Sequence, residues 1–477
     1  MEDELRRLLD KATSLGASYA EVRYQADSER SIRVRNGALE VSSTDSTEGY
    51  SVRVLYNGAW GFSSGPSPSI ELAEIAFKMA RAASILKPKG ASLAPSELAS
   101  LRYDVVEKVK LNDVQMEDAV KYLVDLDKVI NVDKRLSIRM LNLSMMETRK
   151  TIINSEGVLV ESRVPRLELF MVIMAHDPSK GLSQQRSEQY GGSGGWELTK
   201  TLRIEDDARR NAEALVKIID NAKPIKSEEK LDVVFSPELA GIFVHESIGH
   251  PSELDRIMGR EGAEAGESYM KPSDLGNLRI GSEHVTIIDD PTIPNSYGYY
   301  LVDEEGVKAR PRILVNKGII NEFLMNREYA SYLGTHSNAA ARASEFNREP
   351  IPRMANTYLA PGDWKPEELI RETKNGLYFV SYQEWNIDDR RWFGRYGGLE
   401  AYRIINGELR ELVLMPYVEL TTKALWSSVD AVANDLSFNA GTCGKGNPMQ
   451  GVPVWFGGVT FRAKNILVKP PVLNQGS

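Results

Sequence analysis

The segment that most restricts how this chain can fold is LDVVFSPELAGIFVHESIGHP, residues 231–251. Its opening stretch, LDVVF, is mostly apolar and predicts a buried strand. Ser236 and Pro237 then predict the start of a helix, because a serine side chain caps free amide groups and proline lacks an N–H that would be unpaired there. Gly249 is a common residue just beyond the end of a helix. The sequence therefore places a buried strand directly before a short helix.

The predicted helix carries two histidines, His245 and His250, with Glu246 between them. In an unbroken α-helix, side chains five residues apart point about 140° away from each other, so two such imidazoles could hardly bind one metal ion. Two local geometries would bring them together: a helix that ends at Gly249, or a one-residue π-bulge. We favour the helix end, because Pro251 disfavours the α conformation at the residue before it.

Length and composition indicate a globular, cytoplasmic protein. The 477 residues are enough for two to three domains. The single cysteine, Cys443, excludes a disulfide within the chain and fits a reducing compartment. The first residues, MEDELRRLLDKA, lack the apolar core of a signal peptide, and no apolar run approaches the roughly 20 residues that span a bilayer. A net charge of −8 argues against direct nucleic-acid binding. We therefore expect no membrane partner and no nucleic-acid partner.

Turn signals and hydrophobic periodicity divide the chain into three predicted domains. Residues 1–95 combine two helices with hairpins at Asn36-Gly37 and Asn57-Gly58, since both residues of an Asn-Gly pair tolerate positive φ. The stretch KPKGASLAPSE after the second helix reads as a linker. Residues 105–225 alternate helices and strands, and residues 230–470 are mostly β. The predicted fold class is α+β, with mixed α/β N-terminal and middle domains and a β-rich C-terminal domain that carries the helix with the two histidines.

Short motifs occur along the chain in an order typical of one protein family. They are YAEVRYQ, RNGALE, YSVRVLYNGAWGFSS, HESIGHPSELD, IIDDPT, DEEG, PRMANTYLAPG and GTCGKG. Together they resemble the TldD/PmbA family, often named "modulator of DNA gyrase". The chain is similar in particular to the TldD-type metallopeptidase branch, because the PmbA-type partner branch lacks the His-Glu-x-x-x-His motif. One departure follows Cys443, where the expected glutamine comes later, at Gln450.

The resemblance implies a zinc site with three protein ligands. Carried over residue by residue, the ligands are His245, His250 and Cys443, with one Zn²⁺ per chain and with Glu246 as the catalytic carboxylate. Three ligands leave a fourth position for water, whose pKa zinc lowers to about 7, and a glutamate can take its proton as general base. Without the resemblance, a sole cysteine is more often an inert buried residue.

Four further residues are weaker candidates. Glu253 and Asp255 are candidates for orienting the imidazoles, and a solvated acidic turn is the alternative. Arg353 and Asn356, in PRMANT, are candidate substrate-binding residues that could bind a peptide backbone or stabilise an oxyanion. Packing of the arginine stem is the alternative there.

Two functions from different classes remain as hypotheses. The first is a zinc-dependent metallopeptidase, a hydrolase of the HExxxH type, that cleaves small or unfolded polypeptides. As the resemblance implies, it would work on an unstructured peptide as a homodimer, or as a heterodimer with a metal-free paralogue. The alternative is a non-catalytic, zinc-stabilised binding protein that modulates another enzyme such as DNA gyrase.

Overall fold

The computed structural model describes residues 1–86, 90–262 and 266–471. Lys87–Lys89 of the predicted linker lie outside the described residues, and the rest of that stretch, residues 90–97, contains no helix or strand. The architecture is α+β, which confirms the predicted class. Among the described residues, no helix is both long enough and apolar enough to cross a membrane.

The helices and strands alternate irregularly along the first half of the chain. In order they are α1 Glu2–Ser14, β1 Tyr19–Arg35, β2 Ala38–Tyr56, β3 Ala59–Gly65, α2 Ile70–Ser84, β4 Leu101–Asp104, α3 Met116–Ile130, β5 Leu136–Asn154, β6 Leu159–Asp177, β7 Leu182–Ser193, α4 Leu198–Thr201 and α5 Ile204–Asn221.

The second half is richer in short strands. In order its elements are β8 Glu229–Phe235, α6 Pro237–Val244, α7 Leu254–Ile257, β9 Ile287–Asp289, β10 Arg312–Asn316, β11 Ile319–Ile320, α8 Arg327–Tyr332, β12 Ala341–Arg342, β13 Ile351–Pro352, β14 Asn356–Leu359, α9 Pro366–Arg371, β15 Asn375–Phe379, β16 Tyr382–Ile387, β17 Phe393–Gly398, β18 Ala401–Ile405, β19 Glu408–Leu412, β20 Tyr417–Thr421, α10 Thr422–Ser427, β21 Val429–Val432, β22 Ser437–Lys445, β23 Gln450–Gly458 and β24 Phe461–Lys469.

The strands of the first half form one sheet. Its order is β3-β2-β1-β5-β6-β4, and β7 pairs with another part of β6. The first two hairpins turn at Asn36-Gly37 and Asn57-Gly58, and all four residues have positive φ, between 45° and 79°, as predicted. Helices α1 and α2 pack on one part of this sheet, and α3 and α5 pack on another. Because β1 pairs with β5, the sheet includes strands from both sides of the predicted boundary at residues 95–105, and that boundary stays a prediction.

Two further sheets enclose helix α6. One has the order β11-β10-β9-β14-β23-β22, and the other has the order β16-β17-β20-β24-β8-β15-β18-β19, with β21 paired to β24. Residues Leu239–Val244 of α6 are all buried, which is required of a helix that is apolar on all sides. The ring of Phe243 lies 5.0 Å from that of Phe235 in β8 and 6.2 Å from that of Phe461 in β24. The C-terminal end of α6, where the HESIGH motif begins, therefore lies inside the protein.

Buried ion pairs join the first sheet to the C-terminal half. Arg53 of β2 lies 2.9 Å from Glu21 and 2.6 Å from Glu305. Arg23 of β1 lies 3.0 Å from Glu304. Burial raises the pKa of Glu21 to about 7, although the neighbouring Arg53 opposes that shift. Because these side chains are shielded from water, each charge depends on its partner for stabilisation.

Arg53→Ala tests how much this contact contributes to stability. The substitution leaves Glu21 and Glu305 buried without their cation, and we expect it to lower the free energy of unfolding by about 3–5 kcal/mol. Urea denaturation followed by circular dichroism measures the change. Arg6→Ala is the matched control, because the Arg6–Glu2 pair is exposed and should contribute less than about 1 kcal/mol. Equal effects of the two substitutions would contradict the assignment.

Candidate metal centre

The helix that carries the two histidines does not end at Gly249. At His245 helix α6 passes into a π-helical turn, His245–Gly249, and a 3₁₀ turn follows at His250–Ser252. The favoured expectation of a helix end is therefore wrong, and the alternative of a π-bulge is correct. Gly249 has φ −59° and ψ −62°, a right-handed conformation open to any residue. It does not serve as a helix-terminating glycine.

Packing and a replaced hydrogen bond explain why the turn continues. A Cβ on Gly249 would lie 2.0 Å from Sδ of Met354, so this position requires glycine for space. Pro251 has no N–H to donate to the carbonyl oxygen of Ser247, and the hydroxyl of Tyr269 donates to that oxygen instead, at 2.9 Å. The chain can therefore stay helical up to Pro251, and the residue before it has φ −58° and ψ −44°.

The π turn brings His245 and His250 together, and strand β22 brings Cys443 to the same place. The centroids of the two imidazole rings are 4.8 Å apart. Sγ of Cys443 lies 3.4 Å from Nε2 of His250. One ligand atom from each of the three residues lies within 4.8 Å of the others, and all three residues are buried. The structure thus brings together the three residues predicted to bind zinc.

A buried ion-pair network holds strand β22 against the segment after the π turn. Lys445 and Cys443 lie two residues apart on β22, so their side chains project from the same face. Nζ of Lys445 lies 2.7 Å from Oδ1 of Asp255 and 3.3 Å from Oε2 of Glu253. All three charged side chains are 0% exposed. The network therefore fixes the position of the thiol relative to the histidines.

Glu253 also orients one imidazole. Its Oε2 lies 3.1 Å from Nδ1 of His250, which leaves Nε2 of the ring directed to the cluster. Burial raises the pKa of Glu253, but Lys445 and His250 outweigh burial and hold the pKa well below its usual range. Glu253 therefore contacts His250 directly, as its predicted orienting role requires, whereas Asp255 pairs with Lys445. Neither residue lies in a solvated turn, since both are 0% exposed.

The donor set fits a zinc ion. Two imidazoles and one thiolate form a ligand set that suits a borderline-soft cation. Nδ1 of His245 is buried and has no hydrogen-bond partner among the described residues. A buried polar atom without a partner is costly, which favours a ligand at this cluster.

The surroundings of Cys443 lower the pKa of its thiol. Burial raises its pKa, but the nearby His250 and Arg353 outweigh burial and lower the pKa to about 7. A thiol that is partly ionised near neutral pH readily provides the thiolate that metals bind.

Glu246 points into a cleft and has a cationic partner that the sequence did not reveal. Its Oε2 accepts a hydrogen bond of 2.7 Å from Nη1 of Arg391. Arg391 belongs to the turn between β16 and β17, far along the chain. The DDRRW stretch around it has no spacing or motif that would single it out in the sequence.

The side chains of Arg353 and Asn356 form hydrogen bonds with other residues of the protein. Arg353 donates to the carbonyl oxygens of Gln450, at 2.9 Å, and Cys443. Oδ1 of Asn356 accepts from the N–H of Gly298 at 3.1 Å. Both residues are 0% exposed; Arg353 connects to strands β22 and β23, and Asn356 connects to the segment around Gly298. Contact of either residue with a substrate stays a prediction.

The cluster lies at one side of a cleft of about 330 Å³. Residues from all three large sheets line it: Ser187, Glu188 and Gln189 from β7, Thr442 and Cys443 from β22, and Tyr382 and Trp385 from β16. Strands β7 and β22 approach closely at one end, where a Cβ on Gly191 would lie 3.0 Å from that of Ala440. Each of these strands is paired on only one side among the described residues. Two strand edges therefore border the cleft.

Comparisons with known proteins find the same family in all three parts of the chain. Sequence models of the PmbA/TldA metallopeptidases match domain 1 at residues 20–85, the central domain at residues 109–216 and the C-terminal domain at residues 228–468. A metalloprotease of Methanothermobacter thermautotrophicus is 34% identical over 451 residues, 94% of this chain and 95% of that protein. A zinc metalloprotease TldD homolog of Saccharolobus solfataricus is 28% identical over 471 residues, 97% and 99% of the two chains. The crystal structure of TldE from Thermococcus kodakarensis shares the fold, with a TM-score of 0.75, 16% identity and coverage of 98% and 100%.

The lowered pKa of Cys443 can be measured directly, because it is the only cysteine. In metal-free protein we expect thiolate absorbance near 240 nm to rise with a midpoint at pH about 7. The ordinary thiol value is near 8.5. Cys443→Ser supplies the baseline, since it removes the thiol and leaves the tyrosines. A midpoint at or above 8.5 would show that His250 and Arg353 do not act on the thiol as described.

The packing of Gly249 gives a second prediction. Gly249→Ala should lower the free energy of unfolding by about 1–3 kcal/mol, because the new methyl group overlaps the sulfur of Met354. In protein that already carries Met354→Ala, the same change should cost less. Chemical denaturation of the two single variants and the double variant measures this coupling. Strictly additive losses would mean that Met354 is not what excludes a side chain at residue 249.

Proposed function

The chain belongs to the PmbA/TldA metallopeptidase family, and we propose that it is a zinc-dependent peptidase of the HExxxH type that hydrolyses small or unfolded polypeptides. The observation that carries the proposal is the buried cluster of His245, His250 and Cys443 at the side of the cleft. The names of the relatives, metalloprotease and zinc metalloprotease TldD homolog, support a metal-dependent protease.

The three residues would hold one zinc ion through two imidazole nitrogens and a thiolate. When bound, such an ion supplies Lewis acidity, which polarises a peptide carbonyl and makes water more acidic. A set of three protein ligands leaves coordination space for a ligand from solution, as a hydrolytic site requires. Glu253 would keep the ring of His250 in the orientation that directs Nε2 to the ion.

Glu246 is the proposed general base. It is adjacent in sequence to one proposed ligand and lines the cleft, so its carboxylate is near the place where a peptide bond would be attacked. In the proposal the carboxylate accepts a proton from the attacking water and then donates it to the leaving amine. The second proton of the water stays with the products, which are one new carboxyl group and one new amino group, so the glutamate ends in its starting state.

The two strand edges support an extended substrate. Strands β7 and β22 border the cleft and are each paired on only one side among the described residues, and an extended peptide can bind such an edge as an added strand. Recognition through the backbone depends little on the amino-acid sequence of the substrate. It excludes folded segments, because their backbone groups are already paired. This supports unstructured polypeptides as the substrate class.

We also propose that the protein acts in the cytoplasm as a dimer, with a second copy or with a metal-free paralogue. The single cysteine fits a reducing compartment. Sedimentation of the purified protein, alone and with a co-expressed paralogue, distinguishes the two assemblies.

Glu246→Gln tests the mechanism. The amide keeps the shape of the side chain but cannot accept the proton, so kcat on a quenched-fluorescent, unstructured peptide should fall by about 10²–10⁴-fold. Zinc content, measured by mass spectrometry of the metal, should stay unchanged. Undiminished hydrolysis would remove Glu246 from the mechanism.

Variants of the proposed ligands test the site separately. His245→Ala and Cys443→Ser should lose both zinc and hydrolysis, because two donors seldom hold zinc tightly. His284→Ala is the matched control, since that histidine is exposed and should keep both. Bound zinc with no hydrolysis by the wild-type protein, in either assembly, would favour the alternative of a zinc-stabilised regulator.

A further inference from the structure

Arg391 makes the polar contact that restrains Glu246. The Nη1–Oε2 distance is 2.7 Å, and the two side chains are only 16% and 5% exposed. Oε1 of Glu246 has no hydrogen-bond partner in the described parts of the chain. Arg391 is also the only lysine or arginine among the described residues that line the cleft. One oxygen of the carboxylate is thus held by a guanidinium, and the other is left free.

The turn that carries Arg391 is fixed to the turn that carries Glu246. The backbone N–H of Tyr269 donates to the carbonyl oxygen of Arg390 at 2.9 Å. The hydroxyl of the same tyrosine donates to the carbonyl oxygen of Ser247, the residue after Glu246, also at 2.9 Å. Tyr269 therefore spans the two turns and fixes their separation.

A second anchor holds the other side of the Arg391 turn. The hydroxyl of Thr422 donates to the carbonyl oxygen of Arg391 at 2.9 Å, and its N–H donates to that of Trp392 at 2.7 Å. The ring of Trp392 lies 5.2 Å from that of Tyr269. The guanidinium is therefore presented from a braced turn, unlike a surface arginine that is free to change rotamer.

The backbone of Arg391 is strained. Its φ is 61°, in the left-handed region that is unfavourable for a residue with a side chain and that favours glycine. Glycine at this position would relieve the strain but would lose the contact with Glu246. Strain that is retained at a residue whose side chain reaches a cleft points to a role for that side chain.

We propose that Arg391 is a positioning residue for peptide hydrolysis: it holds Oε2 of Glu246 so that Oε1 faces the cleft beside His245, His250 and Cys443. The inference rests on the proposed function, because it assigns Arg391 to the general base named there. It acts through Glu246 and is not assigned contact with the substrate.

Three substitutions of Arg391 separate positioning from folding. Arg391→Ala should lower kcat on the unstructured peptide by about 100-fold with little change in KM, since a displaced base affects the chemical step more than binding. Arg391→Lys keeps a cation, so its kcat should be about 10-fold higher than that of Arg391→Ala. Arg391→Gly should lose as much activity as the alanine variant but should have a higher Tm than that variant, because glycine relieves the strain of the left-handed backbone and alanine does not.

Arg390→Ala is the matched control. Arg390 is the neighbouring residue in the same turn, but its side chain is 72% exposed and is directed to Glu267. This variant should keep wild-type kcat and KM. A loss equal to that of Arg391→Ala would overturn the proposal, because it would assign the effect to the turn as a whole.

A double-variant comparison and a crystal structure complete the test. In the Glu246→Gln background, Arg391→Ala should cause no further loss, since both changes disable the same group. Crystals of Arg391→Ala should show the Glu246 carboxylate displaced while the zinc content is unchanged. An additive loss, a rise in KM with unchanged kcat, or an undisplaced carboxylate would overturn the proposal. If the wild-type protein hydrolyses nothing, the proposed function fails, and the crystal structure still decides whether Arg391 positions Glu246.

Discussion

The buried ion pairs of Lys445 with Glu253 and Asp255 are the interaction on which the site depends. A lysine ammonium that is 0% exposed has no water to stabilise it, so its burial requires fixed carboxylates. Lys445 projects from the same face of β22 as Cys443. Glu253 belongs to the segment that follows His250. The ion pairs thus set the register between strand and helix, and with it the separation of the thiol from the imidazole.

The cleft exists only where the three large sheets meet. The first sheet contributes the edge of β7, the second contributes β22 with its cysteine, and the third contributes the β16–β17 hairpin with Arg391. The buried pairs of Arg53 and Arg23 with Glu305 and Glu304 connect the first sheet to the C-terminal half. The site is therefore a property of the whole chain, although the proposed ligands all come from the C-terminal half.

Local signals in the sequence predicted local structure well. Ser236 caps helix α6, accepting from the N–H of Leu239 at 3.4 Å, and the Asn-Gly pairs form the expected turns. The end of the histidine helix was predicted wrongly, because Gly249 has the appearance of a helix terminator. Its actual constraint comes from the sulfur of Met354, a residue distant in sequence. Tyr269 likewise replaces the hydrogen bond that Pro251 cannot make.

The sequence by itself determined the α+β class, the strand before α6, and the resemblance that singled out His245, Glu246, His250 and Cys443. The class and the strand follow from short-range rules of capping, turn chemistry and spacing, which act among neighbouring residues, whereas the four site residues are what the family resemblance implies. Only the tertiary structure decided that the two imidazoles meet through a π turn, that Lys445 fixes the strand carrying the thiol, and that Arg391 reaches Glu246. The contacts of Lys445 and Arg391 join residues far apart in the chain, and the π turn depends on Met354 and Tyr269, which are distant from it in sequence. Their separation is set by packing and buried charge, which no local pattern encodes.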